Sequence, residues 1–255
     1  MADPEARTEP VVSPPGTGGP APLYIVCSPS RGVGKTLLAR LLNDCYVADG
    51  RPVAAFDLAD EGPRLTDFVA DTATLVDIGE MRDQIKFFDG LIAANEVTKI
   101  VDVGYREFEK FFTIAHNIGL FEEARRHSIE PLILFMIDPD PKAERGYAML
   151  RRRFAGISLL PVRNEMVSKG VPRGAAFRHS SLLVVSIEIP DLGPSLRARI
   201  DRKGFSFAQA YAQAPNLDMT ERRDSELSKW VRRIRFQFRE IELGLICEQI
   251  LTALR

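Results

Sequence analysis

Short apolar runs rich in β-branched residues alternate with longer amphipathic stretches along most of this 255-residue chain. The runs are apolar throughout, which is typical of strands in a sheet that is covered on both faces. Strands of this kind that alternate with helices form right-handed crossovers and hence a mostly parallel sheet. The predicted strands are residues 23–28, 53–58, 73–78, 99–103, 131–137, 157–162 and 182–187.

The stretches between these runs have the apolar spacing of helices. We therefore predict an α/β fold with a doubly wound, mostly parallel sheet of about seven strands, whose ligands bind at the carboxyl ends of the strands. A long helical periodicity from about residue 220 to residue 255 predicts a final helix that packs back on the domain. The helices predicted between strands are residues 35–48, 81–94, 106–124, 142–154 and 195–202.

Composition limits the classes of protein that the chain can belong to. Residues 1–20 are rich in Pro and Gly with almost no large apolar side chains, so we predict a disordered tail followed by one domain over residues 21–255. The net charge of −1 neither requires nor excludes an anionic partner. The three cysteines lack CxxC spacing, and no signal peptide or membrane-length apolar run is visible. We expect a cytoplasmic protein.

The first predicted strand leads into a glycine loop that opens directly into a helical pattern. This order of strand, glycine loop and helix is the context of a Walker A motif, in which backbone N–H groups and the helix N-terminus, including Leu37, hold phosphates. Pro29 stands at the first glycine position of the motif, so the match covers the half that contacts phosphate. The alternative is a glycine-rich turn that is capped by a lysine. The residues of the glycine loop are Gly32, Val33, Gly34, Lys35 and Thr36.

Lys35 would neutralise the β- and γ-phosphates of ATP, and the hydroxyl of Thr36 would ligate Mg²⁺. Two aspartates, Asp57 and Asp102, end the second and fourth predicted strands, where a carboxylate can face the loop. Asp102 has the position of a Walker B aspartate, which would hold Mg²⁺ through a water. The alternative is that an aspartate at the end of a strand caps the next helix.

From residue 23 to about residue 212, the chain resembles the deviant Walker A ATPases typified by ParA and MinD, which position plasmids, chromosomes and division sites. The glycine loop, residues 53–69 (VAAFDLADEGPRLTDFV), residues 100–104 (IVDVG) and residues 131–147 carry the resemblance. It implies a P-loop NTPase fold with ATP and Mg²⁺ as ligands. It also implies that Asp57 is the first aspartate of the family's first switch, near the attacking water, where it acts with Lys35 in catalysis. Asp57 is also a candidate residue of the Mg²⁺ site, together with Thr36 and Asp102.

The same resemblance extends to contacts with the base. Residues 157–164 are similar to the strand that ends in an adenine-reading asparagine, which is Asn164 in this chain, and an amide can pair with both a donor and an acceptor on the adenine edge. Residues 187–194 (IEIPDLGP) resemble the loop that closes over the base, which makes Pro190 and Asp191 candidate contacts. The alternative for Asn164 is a turn residue at the end of a strand.

Two positions depart from the family's pattern. The signature lysine, which reaches across a dimer to the partner's ATP, falls at Ser30, and Arg31 beside it would act in its place. The second aspartate of the first switch falls at Ala59, with Asp60 one position late. Guanidinium and ammonium groups are not interchangeable in geometry. We therefore expect nucleotide binding to survive these departures better than hydrolysis.

The predicted C-terminal helix is rich in cations and aromatic side chains. One interpretation is non-specific DNA binding through phosphate contacts of Arg232, Arg233 and Arg235. The favoured interpretation is a solvated helix face that is stabilised by acidic residues at helical spacing, such as Glu226 and Glu240.

Taken together, the residues and the resemblance predict a switch that binds ATP or ADP, hydrolyses ATP slowly, and forms a nucleotide-dependent homodimer. It would position or segregate DNA or a protein cargo, in plasmid or chromosome partition or as a conjugal-transfer accessory. Two alternatives are a non-hydrolysing interaction module and a small-molecule synthetase or kinase. The last would need an acceptor-substrate pocket, which cannot be identified from the sequence.

Overall fold

The computed structural model of the chain describes residues 21–58, 62–168, 177, 186–212 and 222–253. The predicted tail, Ala59 with Asp60, and residues 182–185 of the last predicted strand lie outside these ranges.

Seven strands form one sheet: β1 Ala21–Cys27, β2 Val53–Asp57, β3 Ala73–Leu75, β4 Thr98–Asp102, β5 Ile129–Ile137, β6 Ser158–Asn164 and β7 Ile187–Ile189. Their order is β3-β2-β4-β1-β5-β6-β7, and each neighbouring pair is parallel. The predicted α/β fold with a doubly wound parallel sheet is therefore confirmed. Strands β2 to β4 lie on one side of β1 and strands β5 to β7 on the other, so the strand order changes direction at β1. A ligand is expected in the crevice at the carboxyl end of β1.

Helices cover both faces of this sheet: α1 Lys35–Ala48, α2 Met81–Ile92, α3 Phe108–Asn117, α4 Leu120–Arg126, α5 Pro141–Arg153, α6 Pro194–Ile200, α7 Phe207–Ala212 and α8 Arg222–Ala253. Alternate residues of the strands point to two separate cores. One core lies under α1, α6, α7 and α8, and the other under α2, α3, α4 and α5. The middle residues of the central strands are apolar on both faces because each face supplies one of these cores.

The helix predicted over residues 106–124 is wrong as a single element. Gly119 has a φ of 63° and separates α3 from α4. A left-handed residue ends the hydrogen-bond ladder of a helix, and glycine adopts that conformation without a steric penalty. The two helices both place aromatic side chains in the same core, which is why their combined periodicity resembles one long helix.

Helix α7 has no counterpart among the predicted helices. Its first N–H groups are capped by a residue far away in the chain, because the Asp44 carboxylate in α1 accepts from the backbone N–H of Phe207 and, at 3.3 Å, from that of Ala208. This cap satisfies donors that would otherwise be unpaired at a buried helix start.

Helix α8 packs back on the domain and covers the edge of the sheet at β7. Trp230, Ile234 and Phe238 belong to the core that it shares with α1. The Gln237 side chain accepts from the backbone N–H of Glu188 at 2.7 Å and donates to the carbonyl of Glu188 at 2.9 Å. The amide thus pairs with backbone groups of an edge strand that would otherwise stay open.

Candidate functional site: the glycine loop and its cleft

The loop of residues 28–34 joins β1 to α1 at the carboxyl edge of the sheet. Gly32 and Gly34 have φ values of 72° and 98°, a region that residues with a side chain rarely adopt. A Cβ on Gly34 would lie 2.5 Å from Nδ2 of Asn164, whereas a Cβ on Gly32 would meet nothing within 4 Å. The absence of a side chain at Gly34 therefore allows the loop to contact Asn164 at the end of β6. The space next to Gly32 is empty.

Pro29, at the position of the missing glycine, anchors the other end of the loop. A Cβ added to Gly146 in α5 would lie 3.1 Å from Cγ of Pro29 and 3.4 Å from Cζ of Phe108. The loop and α5 are in close contact here because Gly146 has no side chain. Pro29, which stands where the motif has a glycine, thus packs against α5.

The Lys35 side chain folds back on the loop. Its Nζ donates a 2.7 Å hydrogen bond to the carbonyl of Ser30, and the residue is 8% exposed. Burial lowers the pKa of Lys35, and the nearby carboxylates of Asp102 and Asp138 oppose that shift. The ammonium group is thus held at the loop by a neutral carbonyl, which a negatively charged acceptor can replace.

Thr36 and Asp102 are joined by a 2.6 Å hydrogen bond from the threonine hydroxyl to Oδ2 of the carboxylate. Burial raises the pKa of Asp102 to about 6; the hydrogen bond from Thr36 opposes this shift, and the adjacent charge of Asp57 adds to it. Asp57 is opposite Asp102 in the register of β2 and β4 and is 0% exposed. The carboxylate of Asp57 accepts from the backbone N–H of Thr66 at 3.2 Å.

The donor set formed by Thr36, Asp57 and Asp102 fits Mg²⁺, which prefers hydroxyl and carboxylate oxygens. Asp102 is buried next to a second buried carboxylate, Asp57, and a cation at this place would offset the cost of burying their charges. Within the described ranges, no group of three or more His, Cys, Asp or Glu residues could hold a metal ion. Mg²⁺ at this place would therefore take its other ligands from phosphate and water, as it commonly does.

A cleft of about 440 Å³ borders the loop. Its walls contain the five residues of the glycine loop together with Arg31, Leu37 and Asp102, all of which the sequence predicts for the site. The structure adds Arg40, Phe68 and Asp201, which the sequence analysis missed. Asp57 is not among the residues that line this cleft: it is buried beside Asp102 in the strand register, and its carboxylate accepts from the backbone N–H of Thr66.

Arg40 is the least expected member of this wall, since it is a charged residue at 2% exposure in the second turn of α1. Its guanidinium donates to the carbonyls of Ile200 and Phe205 at 2.7 and 3.3 Å and lies 3.7 Å from the ring centre of Phe68. Burial lowers its pKa to about 10. A guanidinium group with these partners joins α1 to the ends of α6 and the segment after it. In the sequence, the one indication that Arg40 is buried is its position inside an apolar helical run.

Asn164, the predicted adenine reader, lies beneath the glycine loop. It is 2% exposed; its amide nitrogen donates to the Val33 carbonyl at 3.1 Å, and its oxygen accepts from the Met166 N–H at 3.2 Å. The described geometry thus assigns support of the loop to this side chain. Adenine reading stays a prediction, and it would require the amide to leave these partners.

Pro190 and Asp191, the predicted base-closing residues, have contacts of their own after β7. The carbonyl of Pro190 accepts from Nε1 of Trp230 at 2.8 Å. Asp191 forms an ion pair with Arg197 and does not line the cleft over the loop. Their role toward a base stays a prediction.

The basic residues of α8 lie away from the glycine loop. Arg235 forms an ion pair with Asp49, which follows the last turn of α1, at the opposite end of that helix from Lys35. Arg233 lies 3.5 Å from a carboxylate oxygen of Glu188, and Arg232 is exposed. These ion pairs favour the solvated-face interpretation over DNA contacts for Arg233 and Arg235.

The sheet order, together with a glycine loop that runs from the central strand into a helix, places the chain in the P-loop class of α/β folds. No protein-family model and no curated protein matches the sequence. Among solved structures, the chain is similar to the MinC:MinD cell division protein complex of Aquifex aeolicus, at 18% identity and a TM-score of 0.46, over 84% of this chain and 94% of that chain. None of the described helices combines the length and the apolarity needed to cross a bilayer.

Proposed function

We propose that the chain is a nucleotide switch that binds MgATP at the glycine loop and hydrolyses it slowly. The observation that carries this proposal is the loop itself: two left-handed glycines, a lysine bound to the loop's own carbonyl, and a threonine hydroxyl bound to a buried carboxylate. Gly34 is the N-cap of α1 and Lys35 and Thr36 are its first residues, so these groups lie where backbone N–H groups and the helix dipole favour a polyphosphate.

Lys35 would exchange the Ser30 carbonyl for phosphate oxygens on nucleotide binding. A charged acceptor gives the stronger hydrogen bond, and it would return a neutralising charge to a lysine whose pKa burial has lowered. Thr36 and Asp102 would turn from each other toward Mg²⁺, which would neutralise charge on the phosphates. The existing hydrogen bond keeps both side chains at one position until then.

We propose slow turnover because the groups that would orient the attacking water and neutralise charge from a second subunit are buried or replaced. Asp57 is buried, does not line the cleft and accepts from the backbone of Thr66, so it could orient a water only through a local rearrangement. Ser30 stands in place of the cation that would cross to a second subunit, and Arg31, exposed at the edge of the cleft, is the candidate to replace it. The nucleotide-dependent homodimer belongs to the same proposal, since a cation acting in trans needs a partner subunit.

The cargo of such a switch would be DNA or a protein. The ion pairs of Arg233 and Arg235 reduce the positive charge that α8 offers to phosphates, which favours a protein cargo.

Calorimetric titration with ATP and ADP in Mg²⁺, together with light scattering for molecular mass, tests the proposal. Lys35→Ala should lose most of the affinity, whereas Lys110→Ala, an exposed lysine of α3, should bind like wild type. Absence of MgATP binding to wild type would reject the proposal. A doubling of mass with ATP but no release of phosphate would favour the non-hydrolysing interaction module.

A further inference from the structure

A second pocket, of about 390 Å³, borders the outer part of the loop where β5 passes into α5. We call it the β5 pocket. Pockets that bind small molecules begin at about this size. The residues that matter for its chemistry are Ser30, Arg31, Tyr105, Asp138, Lys142 and Val167.

Asp138 is the most informative residue of the β5 pocket. It follows the last residue of β5, is 6% exposed, and accepts with Oδ1 from the backbone N–H of Asp140 at 2.7 Å. Its other oxygen, Oδ2, is buried and has no hydrogen-bond partner among the described residues. A buried carboxylate oxygen without a donor costs free energy, so the position calls for a donor that the described residues do not supply.

Ser30 has a second polar atom in the same pocket that lacks a hydrogen-bond partner among the described residues. Its backbone N–H donates to Oγ of Ser28 at 3.2 Å, and its carbonyl accepts from Lys35. Its own Oγ is buried and has no partner within the described part of the chain. Oδ2 of Asp138 and Oγ of Ser30 thus belong to residues that line the same pocket, and neither atom has a partner among the described residues.

The rim of the β5 pocket carries two cations together with the carboxylate of Asp140. Arg31 and Lys142 are exposed cations at its edge, and the backbone N–H of Lys142 is fixed by a 2.9 Å hydrogen bond to Oδ1 of Asp140. A ligand that fills this pocket would therefore meet a buried carboxylate inside and ammonium and guanidinium groups outside. A small molecule with a positive end and a negative end matches both.

We propose that the β5 pocket binds a small zwitterion of the α-amino acid class. The ligand's ammonium group donates to Oδ2 of Asp138 and to Oγ of Ser30, and its carboxylate contacts Lys142. This site goes beyond the proposed nucleotide switch, because these contacts do not involve the phosphates. It also provides a pocket for a small polar molecule next to the glycine loop, which the synthetase or kinase alternative requires.

Calorimetric titration of the full chain with the standard L-α-amino acids at millimolar concentration tests the proposal. At least one amino acid should bind wild type, and the same carbon skeleton without its amino group should not. Asp138→Asn keeps the shape of the side chain and its bond to Asp140 but removes the charge, so it should weaken binding by at least about tenfold. Lys142→Gln, on the surface, should also weaken it. Asp71→Asn is the control, an exposed aspartate outside the pocket.

The proposal is overturned if no amino acid binds wild type, or if Asp138→Asn and Lys142→Gln bind it as wild type does. Titration with MgATP on the same samples separates the two proposals. Amino acid binding without MgATP binding would reject the nucleotide switch alone, and MgATP binding without amino acid binding would reject the zwitterion site alone.

Discussion

Asn164 lies against the bare Cα of Gly34, so closely that a Cβ on Gly34 would come within 2.5 Å of the Asn164 amide nitrogen. The shape of the glycine loop therefore depends on the end of β6 as well as on the loop's own dihedral angles. This contact gives the two left-handed glycines of the loop different sensitivities to substitution.

Gly34→Ala should destabilise the protein more than Gly32→Ala. Both substitutions place a side chain at a positive φ, which costs about 1 kcal/mol. The alanine at 34 also collides with Asn164, which adds about 2 kcal/mol. The free energy of unfolding in urea measures the difference, and equal losses in the two variants would show that the contact with Asn164 is easily relieved.

Asp102 should make the stability of the protein depend on pH. Its pKa in the folded protein is about 6, above the usual value of 3.8, so the folded state holds the proton more tightly than the unfolded state. Stability is therefore lost as the pH rises from about 4 to about 6. Asp102→Asn removes this titration and keeps an acceptor for Thr36. Relative to wild type, we expect the free energy of unfolding of the variant to rise by about 2 to 3 kcal/mol as the pH increases through that window. The difference should persist at higher pH.

Urea unfolding of both proteins between pH 4 and pH 8 checks this expectation. Parallel stability curves for the two proteins would contradict it.

Arg40→Leu should destabilise the chain by about 3 kcal/mol, because two carbonyl groups lose a charged donor in a buried place. Arg40→Lys should retain part of this stability, since an ammonium can reach one carbonyl but cannot reproduce the flat contact with Phe68. Thermal and urea unfolding of the two variants give the ranking. If Arg40→Leu proved as stable as wild type, the guanidinium would not be what joins α1 to α6.

Arg235→Gln should lower stability by about 1 kcal/mol in low salt, because the ion pair with Asp49 is partly buried. Lys229→Gln, at an exposed position of the same helix, should leave it unchanged. The test is urea unfolding at two salt concentrations, combined with binding of a fluorescent DNA duplex. A loss of DNA affinity in Arg235→Gln without a loss of stability would support the DNA interpretation of α8.

Local signals in the sequence were sufficient to predict the helix that follows the glycine loop and the proximity of two aspartates at the strand ends. The helix over residues 35–48 has the predicted bounds, because Gly34 precedes its first residue and a turn with Gly50 follows its last. Asp57 and Asp102 could be placed together because parallel strands end at the same edge of the sheet.

What the sequence could not reveal depends on contacts between distant segments. The cap of α7 is Asp44, 163 positions before Phe207. The orientation of the Asn164 amide is set by the loop above it, and no local pattern distinguishes that role from contact with a base. Arg40 is buried because Phe205 and Ile200 offer carbonyl groups to it, which are far away in the chain.

The contact between Pro29 and Gly146 has a mechanical consequence. The ring of Pro29 packs closely against the backbone of α5 at Gly146. A displacement of the loop toward α5 would therefore displace that helix as well. The far end of α5 carries Arg151, Arg152 and Arg153 in its last turn. Occupancy of the loop would thus be transmitted, through one rigid helix, to a cationic last turn about 10 Å from Gly146.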